Sequence, residues 1–419
     1  MNISLSFVLC FIILLIQNCV TAERFPGEQY ARLDFYRDEV IAPNSLSTVG
    51  LSSLRISFLH VSQKHGGLLK SLTLQTDSFA GLPNLTELYI NNANITFDGN
   101  PFIQIPTLKT LELVNGALTE VPQTLISALP NLERLSLETN HIKIIPSDIF
   151  VNYKHLKALS LRNNGLERLE PGWSNGLEQL EELDLMNNAI PARPDMFAAF
   201  RNVKQLFISD AFDPSGFRAD ALGSYPQLTW LNIDHIKMTS LKPGMFDGSP
   251  QLQRIWMDAN SLINIPTGVF EKLTSLRDLT FVQNRIETIE PGAFSGLNMS
   301  HIGLSNNRIT TLQRRTFSGL QVGRLDLGHN MISDLKPFAF NGLKARTVDL
   351  GHNRLIEVGA HDFYGLTVDY LDLSANDIDN VAPGAFRNTK IEKLALYGVR
   401  ELLVKKKEWG LADGVQILM

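Results

Sequence analysis

The chain has 419 residues, of which 44% are hydrophobic and 19% charged, with a formal net charge of -5. So small an imbalance provides neither a basic nucleic-acid groove nor attraction to a strongly anionic target, and no nucleic-acid partner is expected. Binding specificity has to be local.

The first 22 residues, MNISLSFVLCFIILLIQNCVTA, carry an apolar run from Leu5 to Ile16 and then the small-residue pattern Val20-Thr21-Ala22. They read as a secretory signal peptide over 1–22, with a mature chain starting near Glu23. No Lys or Arg precedes the apolar run, so an uncleaved anchor is the alternative reading. Cys10 and Cys19 both lie in this segment, and the mature chain is expected to hold no disulfide and no Cys-based metal site. No later stretch is long and apolar enough to span a bilayer, and the expected location is secreted and extracellular. Sequons at Asn84, Asn94 and Asn298 fit that compartment.

Residues 23–68 have poor periodicity, with strand-like alternation broken by Pro26, Pro43 and Gly50, and read as an N-terminal cap. Leu69 to Leu74 looks like a shortened first coil, with a further strand around Leu54 to Phe58 before it. From there a repeat array occupies 69–399. Its unit is clearest at Val322 to Leu343, VGRLDLGHNMISDLKPFAFNGL. Leu325 and Leu327 alternate with Arg324, Asp326 and Gly328, so a short strand sends two leucines inward and the intervening side chains outward. Asn330 then suits a buried turn, because its amide both donates to and accepts from backbone. Ile332, Leu335 and Phe340 fill the return side. One such unit cannot bury its apolar face alone, whereas stacked neighbours share one core.

The first apolar residue of LxxLxLxxNxL recurs fourteen times, from Leu85 to Ile391, at spacings of 23 to 25 residues; permissive counting reaches sixteen. Nine coils carry the turn Asn. Ala93, Gly116 and Val399 replace it toward the ends, where coils grade into caps, while Ala211 and Ile236 replace it in mid-array. The unit starting at Val203 is the longest and places Ala221 and Leu222 where a Phe is usual, so a loop or bend is expected there. Residues 400–419 read as a C-terminal cap, with Leu402, Leu403, Trp409 and Ile417 available to cover the last coil. Lys405-Lys406-Lys407 reads as a solvated edge that discourages end-to-end association.

The phrase NRIETIEPGAF from Asn284 to Phe294 and the series Phe150, Phe246, Phe270, Phe294, Phe317, Phe340, Phe363 and Phe386 resemble the extracellular, typical class of leucine-rich repeats. Toll ectodomains, Slit-type and chaoptin-like adhesion proteins belong to that class. The resemblance implies an α/β-type solenoid: a leucine-rich repeat horseshoe with a concave parallel β-sheet and a mostly irregular or 3-10 convex side. The absence of cysteine-rich caps departs from the family pattern, so the ends have to be closed by strand pairing and apolar packing.

With adjacent strands about 4.8 Å apart, fourteen coils offer a ladder of roughly 65 Å, which suits a protein partner. Phe207, Trp230 and Trp256 fall on this ladder in successive coils, accompanied by Asp234, His235 and Asp258. They form the candidate partner-binding site, since Trp is enriched at interface hot spots; a loop folding over them is the alternative. Asp326, Asp349 and Asp372 with His329, His352 and nearby His301 form a second column, read as repeat consensus and not as a metal site. Catalytic motifs such as GxSxG, HExxH and GxxxxGK[ST] are absent, so no enzyme activity, catalytic residue or cofactor is expected. The expected function is partner recognition in adhesion, matrix or innate immune settings. The alternatives are a non-catalytic subunit of a secreted enzyme complex, or binding of a glycan or lipid pattern.

Overall fold

The computed structural model describes residues 20–24, 30–35, 39–41, 58–63, 68–123, 128–193, 196–197, 199–212, 224–399 and 404–419. The signal segment up to residue 19 with both cysteines, Leu54 to Ser57, the 213–223 stretch with Ala221 and Leu222, and Leu402 and Leu403 lie outside the described residues. The chain divides into two compact units, one of 1–191 with 211–214 and one of 192–210 with 215–419. Each is a parallel-sheet leucine-rich-repeat solenoid.

In the first unit, parallel strands run in order from Tyr30–Phe35 through Phe58–Gln63, Glu87–Asn91, Thr110–Val114, Arg134–Ser136 and Ala158–Ser160 to Glu182–Asp184. Val20–Arg24 pairs antiparallel with Tyr30–Phe35, and it spans the expected cleavage point after Ala22. Ser71–Gln75, read from sequence as a shortened coil of the ladder, is instead the middle strand of a separate three-stranded sheet. Its neighbours are Glu39–Ile41 and Asn94–Asp98. The ladder position next to Glu87–Asn91 belongs to Phe58–Gln63. The misreading has a physical cause: Leu72 and Leu74 alternate with half-buried residues as any ladder strand does, and period-two patterning does not say which side of a core a strand covers.

The second unit pairs Gln205–Phe207 with Trp230–Asn232 and continues through Arg254–Trp256, Asp278–Thr280, Asn298–Gly303, Gln321–Asp326, Lys344–Asp349 and Thr367–Asp372 to Lys390–Ala395 and Gln416–Leu418, all parallel. Strand length follows a one-residue difference in sequence. Where the next register position lies six places after the return-side Phe, as from Phe270 to Leu276, a turn intervenes and the strand has three residues. With five, as from Phe317 to Val322, the chain enters the ladder directly and the strand has six.

Two internal ladders hold the coils together. Phe246, Phe270, Phe294, Phe317, Phe340, Phe363 and Phe386 stack with centroids 5.3 to 6.2 Å apart. The asparagines form the second ladder. Asn330 Nδ2 donates to Leu304 O at 2.9 Å and Leu327 O at 3.0 Å, while its Oδ1 accepts from Ile309 N at 3.1 Å. Each amide thus ties its own coil to the preceding one and pairs an N–H there that would otherwise be orphaned in the core. Ala211 and Ile236, at the same position, are fully buried.

At the C-terminal end, the helical turn Lys406–Trp409 buries Trp409, and Phe386 N donates to Trp409 O at 2.9 Å. Lys405 pairs with Glu408 at 3.1 Å, and Lys406 Nζ donates to Val415 O at 2.6 Å. Two of the three consecutive lysines are therefore engaged within the chain.

Candidate partner-binding site

Parallel register sorts the outward side chains of the second unit into rows. One row runs Gln205, Trp230, Arg254, Asp278, His301; the next runs Phe207, Asn232, Trp256, Thr280. The three aromatics are therefore staggered across two rows and do not make a single column. Trp230 meets Phe207 edge to face at 4.9 Å and 89°, and Trp256 at 5.1 Å and 74°. Such T-shaped contacts satisfy the ring quadrupoles while leaving all three side chains half-buried. Trp230 Nε1 is buried with no hydrogen-bond partner.

Register also brings in residues that sequence reasoning missed. The Arg254 guanidinium lies 5.0 Å over the Trp230 ring, with Nε 3.8 Å from Asp278. Trp230, Arg254 and Asp278 are each 24 residues apart, so their shared row was legible in the spacing. His301, read from sequence as a neighbour of His329, is a strand residue in register with Asp278. Asp234, Arg254, Trp256, Asp258, Asp278, Thr280 and His301 line one depression of about 580 Å³.

The two aspartates beyond the strands serve the backbone as well. Asp234 Oδ1 accepts from Asp258 N at 2.6 Å, and Asp258 Oδ1 accepts from Val282 N at 2.7 Å. His235 is exposed, with φ 54 in the left-handed region. Burial, reinforced by the neighbouring Asp258 charge, pushes the Asp234 carboxyl up to about 6, and burial raises Asp258 too. Burial likewise raises Asp184 in the first unit and Asp362 in the second to about 6.

These shifts have a definite sign. A carboxyl raised from 3.8 to about 6 binds its proton more tightly in the fold than in the unfolded chain. Its ionisation therefore costs stability at neutral pH, and that cost is relieved as pH falls through 6 toward 3.8. Glu133 opposes this trend only at lower pH, because Lys157 and Lys109 hold it down at about 2. Thermal unfolding is thus expected at higher temperature at pH 5 than at pH 7.5, with Asp184, Asp234 and Asp362 each contributing up to about 1 kcal/mol after solvent screening. Asp184→Asn should flatten the slope; a melting temperature that falls steadily from pH 7.5 to 5 would contradict the assignment.

The second column is an internal fixture of the repeat. Arg324 bridges Asp326 at 3.3 Å and Asp349 at 3.0 Å. The Oδ1 atoms of Asp326, Asp349 and Asp372 accept from the N–H groups of Gly328, Gly351 and Ser374, two residues on. His329 and His352 stack at 4.2 Å and 8°. Among the described residues, no group of three or more His, Cys, Asp or Glu is placed to hold a metal ion. Asn84 and Asn298 are exposed, whereas Asn94 is half-buried in the strand Asn94–Asp98, whose Thr96 Oγ1 is bonded to Thr73 Oγ1 at 2.9 Å.

Repeated coils, amide and phenylalanine ladders and a variable outward strand face define a leucine-rich-repeat binding scaffold. A leucine rich repeat family model matches residues 106–166, 154–211, 250–303, 283–332, 298–355 and 321–378, more than half of the chain. The chain belongs to the leucine-rich repeat family. The repeat array contains no cysteine.

Curated relatives match over short stretches. Leucine-rich repeat-containing protein 3 of Bos taurus is 56% identical over 41 residues, and keratocan of Danio rerio 35% identical over 88. These stretches cover 10% and 20% of this chain and 16% and 24% of the relatives. Among solved structures, the Toll–Spatzle complex of Drosophila aligns with a TM-score of 0.61 at 17% identity, covering 90% of this chain and 65% of that one. A leucine-rich-repeat protein of Leptospira interrogans aligns with a TM-score of 0.54 at 21% identity, covering 84% and 81%. At these identities the likeness is one of fold. Among the described residues, no helix is long and apolar enough to cross a membrane.

Proposed function

We propose that this chain is a secreted protein that docks a protein partner on the strand face of its second unit, centred on Phe207, Trp230 and Trp256 and flanked by Asp234, His235 and Asp258. The observation that carries this reading is the staggered aromatic trio. A regular repeat needs no large aromatic on its outward face, yet three interlocked rings stand half-exposed there. Rigid aromatic clusters of this kind bring large contact area at low entropic cost, which is why hot spots favour them. The setting we favour is adhesion, matrix contact or innate immune recognition; a fold shared with Toll, solved with Spatzle, is consistent with a protein ligand. Glycans on the exposed Asn84 and Asn298 complete the proposal.

The test is capture of the partner from the native extracellular fluid, followed by affinity measurements on Trp230→Ala and Trp256→Ala. Each substitution is expected to weaken binding by more than about 2 kcal/mol, roughly thirtyfold. Unchanged affinity with lowered thermal stability would make the aromatics structural. A catalytic chain recovered at fixed stoichiometry would point to the enzyme-subunit alternative.

A further inference from the structure

We infer that the depression beside Trp256 receives a lysine or arginine side chain from a basic segment of the protein partner. This rests on the strand-face reading and names the chemistry of what it binds. The first support is a precedent within the chain itself. Arg254 lies with its guanidinium over the Trp230 ring and its edge toward the Asp278 carboxylate. An indole face combined with a carboxylate is thus already a cation seat on this surface.

Trp256 offers the same two elements without the cation. It lines the depression together with Asp234 and Asp258. Neither aspartate lies within ion-pair distance of a Lys or Arg among the described residues, whereas Asp278 already has Arg254. Both carboxyls are displaced upward by burial, and Asp258 raises Asp234 further, so the pair holds negative charge at a cost that an incoming cation would remove. An anionic ligand would meet the opposite: three carboxylates facing it and one arginine already occupied.

The surroundings extend the complementarity from one side chain to a segment. Further along the same unit the outward face carries Asp326, Asp349 and Asp372, with Arg324 engaging the first two. A basic stretch lying across these strands meets further negative charge along its path, which steers encounter and fixes register.

The experiment uses the full secreted chain and three capped probes: hexalysine, hexaarginine and hexaglutamate, followed by tryptophan fluorescence at low salt. Asp234→Asn and Asp258→Asn keep an oxygen able to accept the next coil's N–H and remove only charge. Saturable binding of the two basic peptides is expected, with none of hexaglutamate. The double variant should lose about tenfold or more in affinity, while Asp372→Asn stays within about twofold. Thermal unfolding of the double variant at pH 7.5 should not fall below wild type, which separates lost binding from lost folding. Failure of the wild type to bind either basic peptide, or equal binding by the double variant, overturns the inference. If Trp230→Ala abolishes binding of the natural partner while the double variant leaves it intact, the strand-face reading survives and only the cationic seat is lost. If neither changes partner binding, both fall.

Discussion

Asn330→Ala is expected to destabilise the second unit by about 2–3 kcal/mol, because it removes several buried hydrogen bonds at once and orphans one buried N–H. Leu304 O and Leu327 O each lose one of two amide donors, keeping those of Asn307 and Asn353, while Ile309 N–H loses its acceptor and is left unpaired. Asn330 is 7% exposed, so water cannot replace the amide without opening the coil. Each buried group left unsatisfied costs about 1–3 kcal/mol. Asn188 makes similar contacts, to Leu161 O, Leu185 O and Leu166 N, but it is only half-buried and solvent can take over. Urea unfolding should therefore show Asn188→Ala costing less than half as much. Equal effects at the two positions would mean that the amides do not act through burial.

Phe317→Ala should be comparably damaging for a different reason. The ring is fully buried between Phe294 at 6.2 Å and Phe340 at 5.7 Å, in planes only 6° and 19° away. Truncation leaves a cavity flanked by two rigid rings that cannot close in, and such losses run to about 3–5 kcal/mol. Phe317→Leu refills most of the volume and should cost roughly half or less. In a solenoid each coil leans on its neighbours, so hydrogen-exchange protection should drop in the strands Asp278–Thr280, Asn298–Gly303 and Gln321–Asp326 before distant ones. Uniform loss over the whole chain would instead indicate a single cooperative unit.

Both predictions concern positions whose role was readable without coordinates. The turn asparagines and return-side phenylalanines repeat with the coil, and a residue type that recurs at a fixed offset in a stacked array has to face its own copies. The outward aromatics were legible in kind but not in arrangement. Phe207, Trp230 and Trp256 were seen as one ladder feature, yet Phe207 and Trp256 stand in one row and Trp230 in the other. That stagger leaves space for Arg254 above Trp230 and makes Asp278 and His301 neighbours of the site. His301 was grouped with His329 on the next coil, where it pairs with Arg324; its register on the other side with Asp278, which makes it a neighbour of the site, follows from strand pairing.

Sequence by itself determined the period, the inward residues, the two ladders and the one-residue difference that separates three-residue from six-residue strands, since each is a local or periodic property of the chain. Tertiary structure alone decided that Ser71–Gln75 covers the return side, because alternating leucines are equally content on either wall of a core. It alone decided which outward residues share the depression beside Trp256. Whether two side chains on different coils touch depends on lateral strand register and on rotamer direction, and neither is written in the residues of a single coil.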